Sequence, residues 1–276
     1  MKAKRLLGAI LAAGLLATVA APASDAFAKK HDDVQADAPA TKKAIALTLS
    51  GVAWGQSPRD VAAQIDRVLD DDYRPLYRDA QPGVQMKELD AQLAEEKAEF
   101  RRSRIDFGSL PTGMDASPLR GEYTYNNHES VMSFTRSHGD TTITQTYFFF
   151  IQERLWKVIE ERKLNDTSPL GKSYTDAVVK LSTNYGVPGR VQQPDGTTRF
   201  AIEVDWKDSN THLRAIQRGE TGLALAYEDN GTLANLSSLR TNKATQDTGI
   251  DPDVAAAIRG PSQDPGPPPD AKKKKR

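Results

Sequence analysis

Apolar and polar positions divide this chain into a long apolar start, a patterned middle and a polar end. From Leu6 to Ala23 there are eighteen residues without a charge. Residues 44–50 then alternate around Ile45, Leu47 and Leu49, which predicts a first strand. Ser57-Pro58-Arg59-Asp60 is a helix start: Ser57 can cap, Pro58 suits the first helical position, and Asp60 complements the positive helix end. Val61, Ile65, Val68 and Leu69 give this helix one apolar stripe. Asp70, Asp71 and Asp72 place like charges at its negative end, so it is expected to stop near there. Residues 86–104 read as a second, charge-dense helix with Leu89, Leu93 and Phe100 inward, and Pro111, Gly113 and Pro118 make the next stretch a loop.

A β region follows. Residues 121–125 and 130–135 are expected as short strands around an Asn126-Asn127 turn. Residues 141–151 end in Tyr147-Phe148-Phe149-Phe150-Ile151, a run that suits a strand covered on both faces. Residues 151–164 read in two ways. Ile151, Leu155, Val158 and Ile159 have helical spacing, whereas Gln152-Glu153-Arg154 can turn a hairpin whose return strand is Leu155-Trp156-Lys157-Val158-Ile159. Aromatic and β-branched content favours the hairpin. Ser173 opens another helix, striped by Tyr174, Val178, Leu181 and Tyr185 and stopped by Gly186 and Pro188. Strands are expected at 199–206, 212–217 and 222–227, with Asn230-Gly231 as a hairpin turn. The pattern implies an α+β fold with two helix-plus-antiparallel-sheet units, at 44–166 (with a helical insertion) and 167–240. A flexible leader is expected at 29–43, and a disordered, Pro-rich basic tail at 241–276.

The apolar start is best read as an export signal over residues 1–28. Lys2, Lys4 and Arg5 precede the apolar stretch, and Ala26-Phe27-Ala28 ends it with small residues two apart. A second possible cut follows Ala21-Pro22-Ala23. The competing reading, a membrane anchor, sits at the lower edge of spanning length, and Gly8, Gly14 and Pro22 weaken it. The expected address is the periplasm or the exterior, with no transmembrane span in the mature chain. The chain has no cysteine, so this reading includes neither disulfides nor a lipoprotein anchor.

The formal net charge of zero conceals an asymmetry. Removal of the signal leaves 34 basic and 36 acidic residues, and setting aside the five basic residues at 272–276 leaves 29 against 36. An acidic body disfavours nucleic acid as a general partner. The basic tail can make weak contact with an anionic surface.

Two helix starts match at an offset of 116: Gly55-Gln56-Ser57-Pro58-Arg59-Asp60 with Ile65 later, and Gly171-Lys172-Ser173-Tyr174-Thr175-Asp176 with Leu181 later. This is consistent with duplication of one helix-plus-meander unit, and with two helices that share capping chemistry alone. Glycine, a hydroxyl residue, an acid three positions on, a short helix and a meander with a Leu-Trp-Lys-Val return strand together resemble the SmpA/OmlA, or BamE-like, domain. That domain is the small accessory subunit of the outer-membrane β-barrel assembly machine. The resemblance covers 51–164 loosely and 168–239 better. It implies a non-catalytic envelope module that binds protein or lipid, and it transfers no individual binding residue. The family's members are typically lipoproteins, whereas this chain lacks cysteine and carries a long insertion at 73–119.

Candidate chemistry is sparse. The histidines are His31, His128, His138 and His212. His128-Glu129 lacks the second histidine of a zinc-protease helix. No Gly-x-Ser-x-Gly elbow is present, and Asp70 to Asp72 lack the spacing of a calcium loop. The aromatic set of Tyr147 to Phe150, Trp156, Trp206 and Tyr227 reads as core before it reads as a ligand groove. Cleavage after Ala28 would start the mature chain at Lys29-Lys30-His31, where an amine, two amide nitrogens and the His31 imidazole suit square-planar Cu(II) or Ni(II). No catalytic or cofactor-binding residue is assigned. The sequence points to a non-enzymatic exported envelope protein, an interaction or assembly-accessory module with an envelope protein partner. The alternative is an exported hydrolase or a small-ligand or metal-binding protein, for which His128 or His212 would have to meet carboxylates in a pocket.

Overall fold

Why the apolar runs lie where they do is visible in the computed structural model, which describes residues 37–138, 142–195 and 199–242. Among these residues the chain is α+β. Helices α1 (Pro58–Asp79) and α2 (Val84–Arg102) precede strands β1 (Ile105–Asp106), β2 (Glu129–His138), β3 (Thr142–Ile151) and β4 (Arg154–Lys163). Helix α3 (Tyr174–Tyr185) leads into β5 (Arg190–Gln192), β6 (Glu203–Lys207), β7 (Thr211–Arg218) and β8 (Gly222–Asp229), and α4 (Asn230–Leu239) closes the order. The eight strands form a single sheet in the order β1-β2-β3-β4-β8-β7-β6-β5, antiparallel at every step.

Both faces of the sheet are covered, which accounts for the unbroken apolar run in β3. On one face, Val61, Ile65 and Leu69 of α1, Phe100 of α2 and Leu181 of α3 pack on Phe148, Phe150, Trp206 and Leu213. On the other, Phe107, Leu119 and Tyr123 of the loop after β1, with Leu233 and Leu236 of α4, pack on Phe149, Trp156, Ile159 and Ile216. The expected aromatic core is therefore core: Phe148, Phe149, Phe150, Trp156 and Trp206 are fully buried.

Segment 151–164 is the hairpin and not the helix. Gln152 and Glu153 form its two-residue turn at φ 49° and 60°, in the left-handed region that such turns require. Glu153 is held there by a forked contact from Arg104. The β3–β4 register slips between Phe149 and Phe150, so β4 holds one extra residue at Trp156. The bulge brings Trp156 to the same face as its neighbour Lys157.

Several expectations are corrected. Helix α1 does not stop at the aspartates but runs to Asp79, because Asp70, Asp71 and Asp72 are paired with Lys97, Arg74 and Arg136. Residues 44–47 are irregular and 48–50 bend, so no strand forms there, and the Ile45 N–H is satisfied by the Asp208 carboxylate. Residues 121–125 are a turn in which Tyr123 stacks on Phe107 at 3.8 Å, and Tyr123 and Tyr125 both donate to Asp115. The strand expected at 199–206 starts only at Glu203, and Phe200 is 78% exposed. Asn230-Gly231 does not turn a hairpin. Asp229 caps Thr232 at 2.8 Å and launches α4 instead. In the stretch expected as a leader, residues 38–43 are tied to the sheet: Thr41 N–H donates to Lys207 O at 2.8 Å, Lys207 N–H to Pro39 O at 3.0 Å, and Lys42 N–H to Tyr185 O at 2.9 Å. The signal at 1–28, leader residues 29–36 and tail residues 243–276 lie outside the described residues. No described helix is long and apolar enough to cross a membrane.

Phe148→Ala should destabilise the protein by about 3–5 kcal/mol, while Phe200→Ala should fall within about 0.5 kcal/mol of the parent. Chemical denaturation of the two variants checks the contrast.

Candidate functional site

The strands alternate, so one face of the β4-β8-β7-β6-β5 half collects every second residue: Lys157, Glu228, His212, Arg214, Asp205 and Glu203. These side chains form a buried layer of charge. Lys157 donates to the Glu122 carboxylate at 2.6 Å and the Glu122 carbonyl at 2.9 Å. Arg214 reaches Glu122 at 2.7 Å, Glu228 at 3.0 Å and Glu203 at 3.2 Å. Arg190 and Gln192 hold Asp205 from the next strand. Burial opposes ionisation of Glu122 and Glu228, but Arg214 and Lys157 outweigh it and hold both carboxyls below the usual range. Nearby, Arg240 clasps Glu129 at 2.8 and 2.9 Å, and both Arg240 and Lys157 lie over the Trp156 ring, at 5.3 and 4.4 Å.

His212 does meet carboxylates. Its Nδ1 lies 3.0 Å from Glu228 and its Nε2 3.1 Å from Asp205. Burial works against the charged ring, yet these two contacts prevail and raise its pKa to about 9. With both nitrogens engaged, the ring holds its proton and offers no lone pair to a substrate or metal. His128 is exposed at φ 56° beside a cavity of about 740 Å³. His31 and the side chain of His138 lie outside what the structure describes. Among the described residues, no cluster of three or more His, Asp or Glu is arranged for a metal.

A second opening lies on the helical face. Helix α2 packs Phe100 edge-on against Phe134 of β2 on the helical face, and the residue after it, Ser103, accepts the Ser133 N–H through its hydroxyl at 2.9 Å. Strand β1 pairs with β2 only at Ser130 and Val131. In an antiparallel strand, the outward N–H and C=O groups fall on alternate residues. Glu129 accepts from Phe107 and Ser133 donates to Ser103, so Thr135 and Ser137 present their backbone groups outward as well. Among the described residues no strand pairs with β2 on that side beyond Val131. Beside this open edge runs a groove of about 510 Å³. Leu69, Phe100 and Phe134 form its apolar floor, and Leu76 stands at its side, 50% exposed. Glu96 and Glu99 supply the acid of its rim, and Asp72 there is paired with Arg136 at 2.8 Å. Among the described residues Glu96 accepts only the Tyr73 hydroxyl, at 2.5 Å.

Of these residues the sequence singled out His128 and His212, for the enzymatic alternative, and neither the carboxylates and cations around His212 nor the lining of the groove. A lysine inside Leu-Trp-Lys-Val and an arginine at the centre of β7 were the visible signals, but their partners come from distant strands. The groove needs the turn between two helices to be known before Leu76, Glu96 and Glu99 can be placed together. No family model, curated protein or solved structure matches this chain.

The imidazolium has a pH signature. A ring whose pKa rises from 6.5 unfolded to about 9 folded gives full stabilisation below pH 6.5 and loses it as pH rises through 9. The effect is on the order of 2–3 kcal/mol. Denaturation curves at pH 6 and pH 9.5 should differ by that amount for the parent and by much less for His212→Gln.

Proposed function

We propose that this chain is a non-enzymatic, exported envelope protein that works as an interaction or assembly-accessory module. The observation that carries the reading is the open outer edge of β2 beside the groove. Unpaired strand edges are templates for pairing, and proteins that do not use them usually cover them.

The reading of the fold as two related units belongs to the same proposal. Two observations support it. Gly55 and Gly171 both take a positive φ, +80° and +92°, two residues before serines that cap α1 and α3. Each helix also precedes a three-strand antiparallel meander, β2-β3-β4 or β6-β7-β8. This arrangement is consistent with BamE-like ancestry and with the assembly-accessory role it implies. Export rests on the residue 1–28 signal pattern. The enzymatic alternative built on His212 has less support, because both ring nitrogens already serve carboxylates.

A photoreactive residue at Thr135 should crosslink to a defined envelope protein in intact cells, whereas one at Val191, exposed at the far side of the sheet, should not. Equal or absent crosslinking at both positions would count against the reading. N-terminal sequencing of the protein recovered from the envelope should begin at Lys29.

A further inference from the structure

We infer that the occupant of the β2 edge is an extended, basic segment of another protein, which pairs with Thr135 and Ser137 and places a lysine or arginine against Glu96 and Glu99. This rests on the reading of the edge as a docking surface and adds the chemistry of the partner.

The backbone supplies the first argument. Among the described residues, Ser133 is the last of β2 whose outward group is taken from within the chain, by Ser103. From there the line of β1 is vacated, because the chain turns aside into α2 at Arg102. An added strand would continue that line and meet the N–H and C=O of Thr135, then those of Ser137. Only an extended backbone matches this spacing, since a helix satisfies its own amides internally.

The side chains supply the second. Successive residues of an added strand point to opposite faces of the sheet. On the helical face, the neighbours along β2 are Phe134, part of the apolar core, and Arg136, bound to Asp72. A residue of the added strand beside Phe134 therefore faces Leu76 and the apolar floor, and favours an aliphatic side chain. Because Asp72 and Arg136 neutralise each other, the charge left in the groove is that of Glu96 and Glu99, both exposed and neither ion-paired among the described residues. A cation two residues from the aliphatic position falls on the same face and can reach this pair. An acidic segment would meet like charge. A second copy of this chain would bring a second Glu96 and Glu99 pair against the first. The chain's own tail is basic at 272–276, but it lacks aliphatic residues there and is preceded by prolines at 267–269, which suit strand pairing poorly.

The test uses the full mature chain and three labelled probe peptides, measured by fluorescence anisotropy at low and at physiological salt. One, the Lys/Val peptide, repeats Val-Thr-Lys-Thr so that Val and Lys alternate along one face of a strand, the Glu/Val peptide repeats Val-Thr-Glu-Thr, and the third is the Lys/Val peptide with a central proline. The Lys/Val peptide should bind at least about tenfold tighter than the Glu/Val peptide, and its affinity should fall with salt. Glu99→Lys, at an exposed position, should weaken it about tenfold while circular dichroism stays unchanged, and the proline peptide should bind no better than the Glu/Val one. If the Glu/Val peptide binds as well as the Lys/Val peptide, the basic partner is overturned and the docking edge survives. If the proline peptide binds as well, strand pairing itself is overturned. If the Lys/Val peptide binds only after residues 272–276 are changed to glutamine, the occupant is the chain's own tail and the proposal of a foreign segment fails. Absence of binding by all three in the glutamine variant also overturns it.

Discussion

Lys157 of β4 and Glu228 of β8 face each other across the seam where, among the described residues, the two meanders touch strand to strand. If that seam opens, the sheet becomes two smaller ones, each with an edge exposed in the middle of an apolar surface. Seven residue pairs run along it, from Lys157↔Glu228 to Lys163↔Gly222. The apolar faces on either side are continuous only because the seam keeps them in plane. The bulge at Trp156 belongs to the same constraint, because it turns the indole toward the face where Lys157 and Arg240 meet it.

The charge layer beneath the loop at 107–125 grows from that pair. Placing so many ions in the interior costs desolvation that mutual attraction only partly offsets. Its contacts are therefore best understood as orienting ones. Glu122 comes from the loop and binds cations on both β4 and β7, so loop and sheet can meet in one register only. His212 ties Glu228 of β8 to Asp205 of β6 across β7. An apolar layer of equal volume would pack as densely but would tolerate sliding.

How much of this was legible beforehand follows from what each element depends on. Helices α1 and α3 were readable because serine caps, first-turn acids and apolar stripes are local. Strands β3 and β4 were readable from composition, and the turn expected at Gln152-Glu153-Arg154 falls on Gln152-Glu153 although it lacks glycine, with Arg154 already in β4. The failures are of one kind: distant groups overrode local signals. Asp70 to Asp72 failed to end α1 because cations on α2 and β2 meet two of them. Asn230-Gly231 failed to turn because Asp229 caps a helix there. Residues 44–50 alternate like a strand, yet the hydrogen bond of Ile45 goes to a side chain. The site was less visible still, since the open edge of β2 depends on where α2 ends relative to Ser133. Its chemistry is also carried by the backbone, which every sequence shares.

The segment at 38–43 bears on which end of the sheet can take on a further strand. By lying along Lys207 of β6 it occupies sheet margin next to the three-residue strand β5. Among the described residues this segment occupies the margin of β6 at Lys207, where β5 has already ended. A strand arriving at that end of the sheet would have to displace it before reaching β6, whereas the outer side of β2 beyond Val131 carries no such strap from a described residue.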